Sequence, residues 1–280
     1  MSEADDNRLI EAILASGVKI PPMPSILMAV MALERNEAAG PHEYAARIAD
    51  DPATAGALFR VVRSPVLGLR VPVETLDKAI TVLGLKTTLA VVRTEALRNA
   101  LHDPALEAVM ATLWKRMNTV ADLTLAMMRS IRPRGVREDL LFQSAVFHDC
   151  GVAVLMRRHP SYAQAFAGPR WPDLVALDHE HQTNHGVIGQ MVARSWQLPQ
   201  EVVQVVRYHH DTHLDALPEP VRKMIVLIHF AGHLLDLMAG ADAGDWGEVW
   251  QERTEEILAQ SGHELAEVEQ EMAPAWLGAG

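Results

Sequence analysis

A single cysteine, Cys150, is all the chain has. It excludes an internal disulfide and fits a reducing compartment such as the cytoplasm. Aromatic residues make up only 5% of the sequence, while Leu, Ala, Val and Met abound. That balance disfavours a sandwich or barrel and favours helices. Apolar and polar residues nowhere alternate for the length of a whole strand, and no Gly-rich phosphate loop is present. There is no surplus of Lys and Arg: the formal net charge is −11. Ten acidic residues between Asp242 and Glu271 face Arg253 alone, so the rest of the chain is nearly neutral. It lacks the basic footprint that a nucleic acid or an anionic membrane surface calls for. The longest apolar region, Met224 to Ala241, is interrupted by His229, His233 and Asp236 and reads as a core helix rather than a membrane span. Met1 to Asp6 is acidic and lacks the basic start of a signal peptide.

What remains is a chain of 280 residues, 49% hydrophobic and 22% charged, large enough to bury a substantial core. Punctuation by Pro and Gly divides it into helices. A short one from Asn7 to Ala15 ends at Ser16-Gly17. Pro21, Pro22 and Pro24 hold the chain extended, and Ser25 is placed to cap the helix that follows. Helices are expected over 42–49, 53–62, 75–83 and 86–101, the last two parted by Gly84. Asp51 and Pro52 supply a cap and a first-turn proline. Ser64-Pro65 and Gly68 end the second of these helices, and Leu101 to Pro104 marks a seam. Longer helical blocks follow over 105–131 and 138–158, with Gly151 arguing against an unbroken second block. Further helices are expected over 173–181, 185–196, 201–210 and 219–237. After a Gly240–Gly244 linker come two acidic amphipathic stretches, 246–259 and 263–272. The fold class is therefore all-α, a helical bundle.

Ten of the 13 histidines lie between His148 and His233. His148-Asp149, His185 and His209-His210 fall on three successive helical blocks, which a bundle can turn toward one point. Neutral imidazoles beside a carboxylate suit a mixed nitrogen and oxygen site for Fe, Mn or Zn. The same residues also suit a hydrogen-bonded polar core. Other chemistry is poorly supported. Ser64 and Ser195 have no His-Asp context for a nucleophile. Arg60, Arg63 and Arg70 near a helix pair could contact DNA, but they share that region with Glu43, Asp50 and Asp51, as an exposed mixed-charge face does. Trp196 and Leu198 at a helix end read as core.

Several segments resemble the HDOD domain, a bacterial signalling module distantly similar to HD and HD-GYP phosphohydrolases. They are Ile20-Pro21-Pro22-Met23-Pro24, Ile48-Ala49-Asp50-Asp51-Pro52-Ala53 and Ala79-Ile80-Thr81-Val82-Leu83-Gly84-Leu85. Ala145-Val146-Phe147-His148-Asp149-Cys150-Gly151 stands where the family has Gly-Leu-Leu-His-Asp-Ile-Gly. Asn184 to Gly189, Trp196 to Pro199 and Val205 to His210 complete the pattern. The resemblance implies an N-terminal helix (1–17) and a domain over 18–213, made of an N-terminal helical lobe (18–103) and an HD-like lobe (104–213). An acidic helical extension (214–280) follows.

The departures bear on activity. HD phosphohydrolases begin their ligand set with a His on the helix before the His-Asp pair; here that neighbourhood reads Trp114-Lys115-Arg116-Met117. They end it with an Asp after the last His; here Gly232 stands in that place, with Asp236 one helical turn on as a substitute. Val152 and Asp211-Thr212-His213 replace the Lys and the Gly-Tyr-Pro of HD-GYP enzymes. The chain is therefore expected to be a non-catalytic regulator that works through a signalling protein partner or a small-molecule ligand. His148, Asp149, His185, His209 and His210 form a remnant metal site with no catalytic residue, holding at most a weakly bound divalent Fe, Mn or Zn. Neither a membrane nor a nucleic acid is an expected partner, and the acidic extension offers a face for a homodimer or a basic protein. The alternative is a divergent metal-dependent phosphohydrolase acting on a nucleotide or cyclic dinucleotide.

Overall fold

The computed structural model describes residues 10–11, 13–15, 17–63, 72–168, 170–241 and 246–277, with side chains as far as Met272. Among these residues every regular element is an α-helix or a 3-10 turn. Two compact units form, one from Pro21–His102 and one from Met1–Ile20 with Asp103–Gly280. Asn7, Ser16, the helix-ending Ser64-Pro65 and Gly68, Arg70, and Asp242 to Asp245 with Gly244 lie outside the described residues.

The smaller unit holds α1 (Ser25–Glu34), α2 (Pro41–Ala49), α3 (Pro52–Val62) and α4 (Leu76–Leu101). Its starts follow from local chemistry. Pro41 and Pro52 occupy first-turn positions, and Asp51 accepts a 2.9 Å hydrogen bond from the Thr54 N–H. Ser25 does not cap α1: it is the first helical residue, and Pro24 takes the cap position with no side-chain hydrogen bond. The fixed φ of Pro24 already sets the chain's entry angle. Gly84 breaks α4 with φ 74° and ψ 161°, a left-handed φ that suits glycine. Leu27, Ile48, Leu58, Ile80 and Leu97 are fully buried between these helices. Arg60 pairs with Glu95 at 3.5 Å, and the Arg63 guanidinium lies over the Phe59 ring. Both arginines thus have partners within their own unit.

In the larger unit, α5 (Glu107–Ser130) packs along α6 (Glu138–Phe147). Then come α7 (Cys150–Arg158), α8 (Pro160–Gln164), α9 (Leu174–Glu180), α10 (His185–Ser195) and α11 (Gln200–Tyr208). The chain closes with α12 (Glu219–Met238), α13 (Glu248–Gln260) and α14 (Leu265–Leu277). The block expected over 138–158 is interrupted at His148 and Asp149, where the backbone makes a turn between α6 and α7. The interruption therefore comes before Gly151, which is helical. Residues 138–158 are apolar and long enough to cross a membrane, but 89% of the most apolar 18 residues there are buried inside the protein, as core segments are. Trp196 is fully buried and meets the edge of Phe147, with ring centroids 6.3 Å apart.

Glycines allow three helix backbones to meet around this core. A Cβ on Gly151 of α7 would stand 2.0 Å from the His185 carbonyl oxygen. On Gly189 of α10 it would stand 2.6 Å from Val206 Cγ1, and on Gly186 2.8 Å from the Arg207 carbonyl oxygen. The result is a tight α7–α10–α11 stack whose helix ends converge on one place.

Candidate metal centre

The residues that meet there all sit at helix termini. Asp149 holds the position before α7 and makes no side-chain cap hydrogen bond, so its carboxylate stays available. His185 is the first residue of α10, which Asn184 caps by accepting from the Val187 N–H at 2.8 Å. His209 follows the last residue of α11, and His210 comes next. Donor atoms of Asp149, His185, His209 and His210 lie within 4.8 Å of one another. The first three residues are buried and His210 is half-buried.

Hydrogen bonds on the far side of the His185, His209 and His148 rings fix their orientation. His185 donates from Nδ1 to Asp178 Oδ2 at 2.7 Å, and its backbone N–H reaches the same oxygen at 2.7 Å. Asp178 is held in turn by the Tyr162 hydroxyl, which donates to Oδ1 at 2.9 Å. His209 donates from Nδ1 to the Val206 carbonyl at 2.9 Å, and His148 from Nδ1 to the Ala145 carbonyl at 2.6 Å. In the neutral rings, Nε2 then carries the lone pair.

That choice of tautomer leaves several electron-pair donors facing one another. His185 Nε2 and His209 Nε2 are 3.1 Å apart, and Asp149 Oδ1 lies 3.2 Å from His209 Nε2 and 3.5 Å from His185 Nε2. Lone pairs directed at each other repel unless a cation lies among them. An ion bonded at about 2.0 to 2.2 Å to imidazole and carboxylate separates its ligands by about 3.0 to 3.5 Å. The donor set fits a divalent transition ion, and Asp178 supplies the carboxylate–histidine support typical of such sites.

The electrostatics agree. Burial pushes the Asp149 carboxyl up, but the adjacent His148 and His209 imidazoles outweigh it and hold the group well below the usual carboxylate range. Burial, reinforced by the neighbouring His210, holds His209 well below the usual histidine range despite the adjacent Asp149. One ligand is thus anionic and another neutral, as metal binding requires. His209 also sets an acid limit. The unfolded chain takes up its proton near pH 6.5 while the folded chain refuses it, so the unfolded state binds more protons below that pH. Stability is therefore fully present above about pH 6.5 and is lost as pH falls toward the depressed folded value. Denaturation midpoints measured from pH 7.5 downward should fall, and His209→Asn should flatten that fall.

The structure brings Asp149, His185, His209 and His210 together. It leaves His148 at the edge, with Nε2 3.2 Å from Asp149 Oδ2. His148, Asp149, His209 and His210 line a cleft of about 170 Å³ shared with Arg116, Trp171, His229 and Gly232. The expectation that Asp236 substitutes as a ligand is not met. Its carboxylate takes two hydrogen bonds from Arg116, at 2.7 and 3.1 Å, and it is not among the clustered donors. A Cβ on Gly232 would lie 3.8 Å from Arg116 Nη2, and the guanidinium lies 4.7 Å from the centroid of the Trp171 ring. Without a side chain at position 232, the guanidinium has room to reach the carboxylate one turn further on.

Sequence reasoning missed Asp178, Tyr162 and the role of His229. No spacing rule links Asp178 to His185, because the turn between α9 and α10 alone decides their meeting. His229 donates from Nε2 to the His209 carbonyl and stacks on Trp250, with centroids 3.7 Å apart and planes 11° from parallel. It ties α13 to the backbone of the ligand segment. Cys150 donates weakly to the Gly189 carbonyl, and burial raises its thiol pKa far out of the reactive range.

Comparison with known proteins extends these observations. The HDOD domain model matches residues 20–212. The structure is similar to an HDOD domain protein from Geobacter sulfurreducens, with TM-score 0.68 and 17% identity over 99% of this chain and 98% of that one. It is also similar to a proposed signal transduction protein from Marinobacter aquaeolei, with TM-score 0.71 and 18% identity over 98% of this chain and 63% of that one. A proposed metal-dependent phosphohydrolase from Shewanella amazonensis matches with TM-score 0.61 and 18% identity, over 92% of this chain and 99% of that one. At these identities the likeness is one of fold. The chain spans 43% of the length of the curated relative it matches, at 22% identity over 236 residues.

Proposed function

The chain belongs to the HDOD domain family, and from that premise we propose that it is a non-catalytic regulator in signal transduction, acting in the cytoplasm through contacts with a protein partner or a small ligand. In this reading Asp149, His185, His209 and His210 hold one divalent Fe, Mn or Zn ion as a structural or sensing centre. The ion would supply positive charge that locks the ends of α7, α10 and α11 together.

The observation that carries the proposal is the Arg116–Asp236 ion pair. HD phosphohydrolases place flanking ligands in this neighbourhood, to hold metal and leave a position for an activated water. Here a permanently charged guanidinium stands beside Gly232, and the nearest carboxylate is committed to it. A fixed cation there repels a further metal ion and contributes no ligand. The name of the Marinobacter protein agrees with this reading.

The second reading, a divergent metal-dependent phosphohydrolase acting on a nucleotide or cyclic dinucleotide, draws support from the cleft beside His148 and Asp149 and from the name of the Shewanella protein. An assay separates the two. Protein purified without chelator and loaded with Mn or Fe should hydrolyse neither bis(4-nitrophenyl) phosphate nor cyclic dinucleotides above the buffer rate. Turnover that His148→Ala abolishes would sink the non-catalytic reading.

A further inference from the structure

Away from the metal centre, the ends of α12, α13 and α14 enclose a groove of about 740 Å³. Its apolar surface comes from Leu237, Trp246 and Leu265, and its carboxylates from Glu255, Glu264 and Glu269. Leu237 is 44% exposed, unusual for a leucine on a helix whose other apolar residues are mostly buried. Trp246 is fixed in place by stacking on His233, with centroids 4.2 Å apart and planes 9° from parallel.

Among the described residues, no Lys or Arg lines the groove. The Arg253 guanidinium of α13 donates instead to the Thr212 carbonyl at 2.9 Å. Glu255 receives a neutral hydrogen bond from Gln251 at 2.9 Å, and Glu269 one from His233 Nε2 at 3.0 Å. His233 lines the groove yet is only 8% exposed, and its Nδ1 has no hydrogen-bond partner. Among the described residues, the groove therefore offers an apolar floor and a rim of carboxylates without a Lys or Arg.

We infer that this groove docks a basic segment of a partner protein, with Lys or Arg side chains against Glu255 and Glu264 and an aliphatic anchor on Leu237 and Trp246. A cationic peptide supplies the counter-charges. Mutual repulsion of the rim carboxylates is relieved on binding, so association should be steered electrostatically and weaken with salt. The inference deepens the regulatory reading by giving the partner a chemistry. It does not depend on metal or turnover, so each can fail separately.

The test uses the full chain and a synthetic amphipathic peptide of Lys and Leu, followed by calorimetry at low salt. Glu255→Gln with Glu264→Gln should weaken binding at least about fivefold. Glu252→Gln with Glu256→Gln removes the same charge from exposed positions of α13 outside the groove and should change it less than about twofold. Leu237→Ala should also weaken it, and a peptide with Gln in place of Lys should not bind. Equal loss in the two double variants would show diffuse attraction to an acidic surface and overturn the inference. So would no binding by the native chain, or equal binding of the Gln peptide.

Discussion

Gly151→Ala should severely destabilise the native fold. The added methyl would stand 2.0 Å from the His185 carbonyl oxygen, 2.8 Å from the His185 carbonyl carbon and 2.8 Å from the Gly189 nitrogen. All three are backbone atoms of α10, so no side chain can swing aside. Relief requires α7 and α10 to separate, and their ends carry Asp149 and His185. The expected loss exceeds about 4 kcal/mol, a large share of the roughly 5 to 15 kcal/mol that stabilises a typical domain. Gly56→Ala is the matched control. Gly56 lies within α3, where a Cβ would meet only the end of the flexible Arg60 side chain at 3.6 Å. There the same change should stabilise by about 0.5 to 1 kcal/mol. Urea denaturation of both variants measures the contrast. A Gly151→Ala protein as stable as the native one would contradict the close helix crossing.

Arg116→Met should cost about 2 to 4 kcal/mol, because it leaves the nearly buried Asp236 carboxylate without its partner. The two side chains are 18% and 13% exposed, which places the pair toward the buried end of the scale. The double variant Arg116→Met with Asp236→Leu should recover most of that loss, since apolar replacement of both members of a buried pair is close to neutral. The ion at the Asp149–His185–His209–His210 cluster should stay bound in both variants, because neither residue belongs to that donor set. Denaturation of the singles and the double, with metal titration of each, completes the cycle. If Asp236→Asn weakened ion binding, Asp236 would be a ligand after all.

Much of the fold was legible because its breaks are chemical. Pro41, Pro52 and Pro220 start helices, and Gly84 parts two helical runs through a positive φ that its lack of a Cβ permits. The histidine cluster was legible as a set of residue types on successive helices. Their geometry was not, because it depends on groups remote in sequence. Asp178 orients His185 across the α9–α10 turn, and Arg116 reaches Asp236 across 120 positions. Gly151 reads in sequence as a helix breaker, whereas its actual role is to let two backbones touch. The break falls instead at His148 and Asp149, whose side chains turn into the cleft and the donor cluster. Likewise, the histidine-on-tryptophan stacks that dock the acidic extension follow no short-range pattern.

The central claim is that one ion is held by Asp149, His185, His209 and His210 while the Arg116–Asp236 pair excludes a second. The most direct measurement is the metal content of the chain, purified without chelator and titrated with Mn, Fe or Zn, alongside His185→Ala, His209→Ala and Asp236→Asn. One ion per chain is expected, lost in both histidine variants and retained in Asp236→Asn. Two ions per chain in the native protein, or binding that survives loss of both His185 and His209, would contradict it.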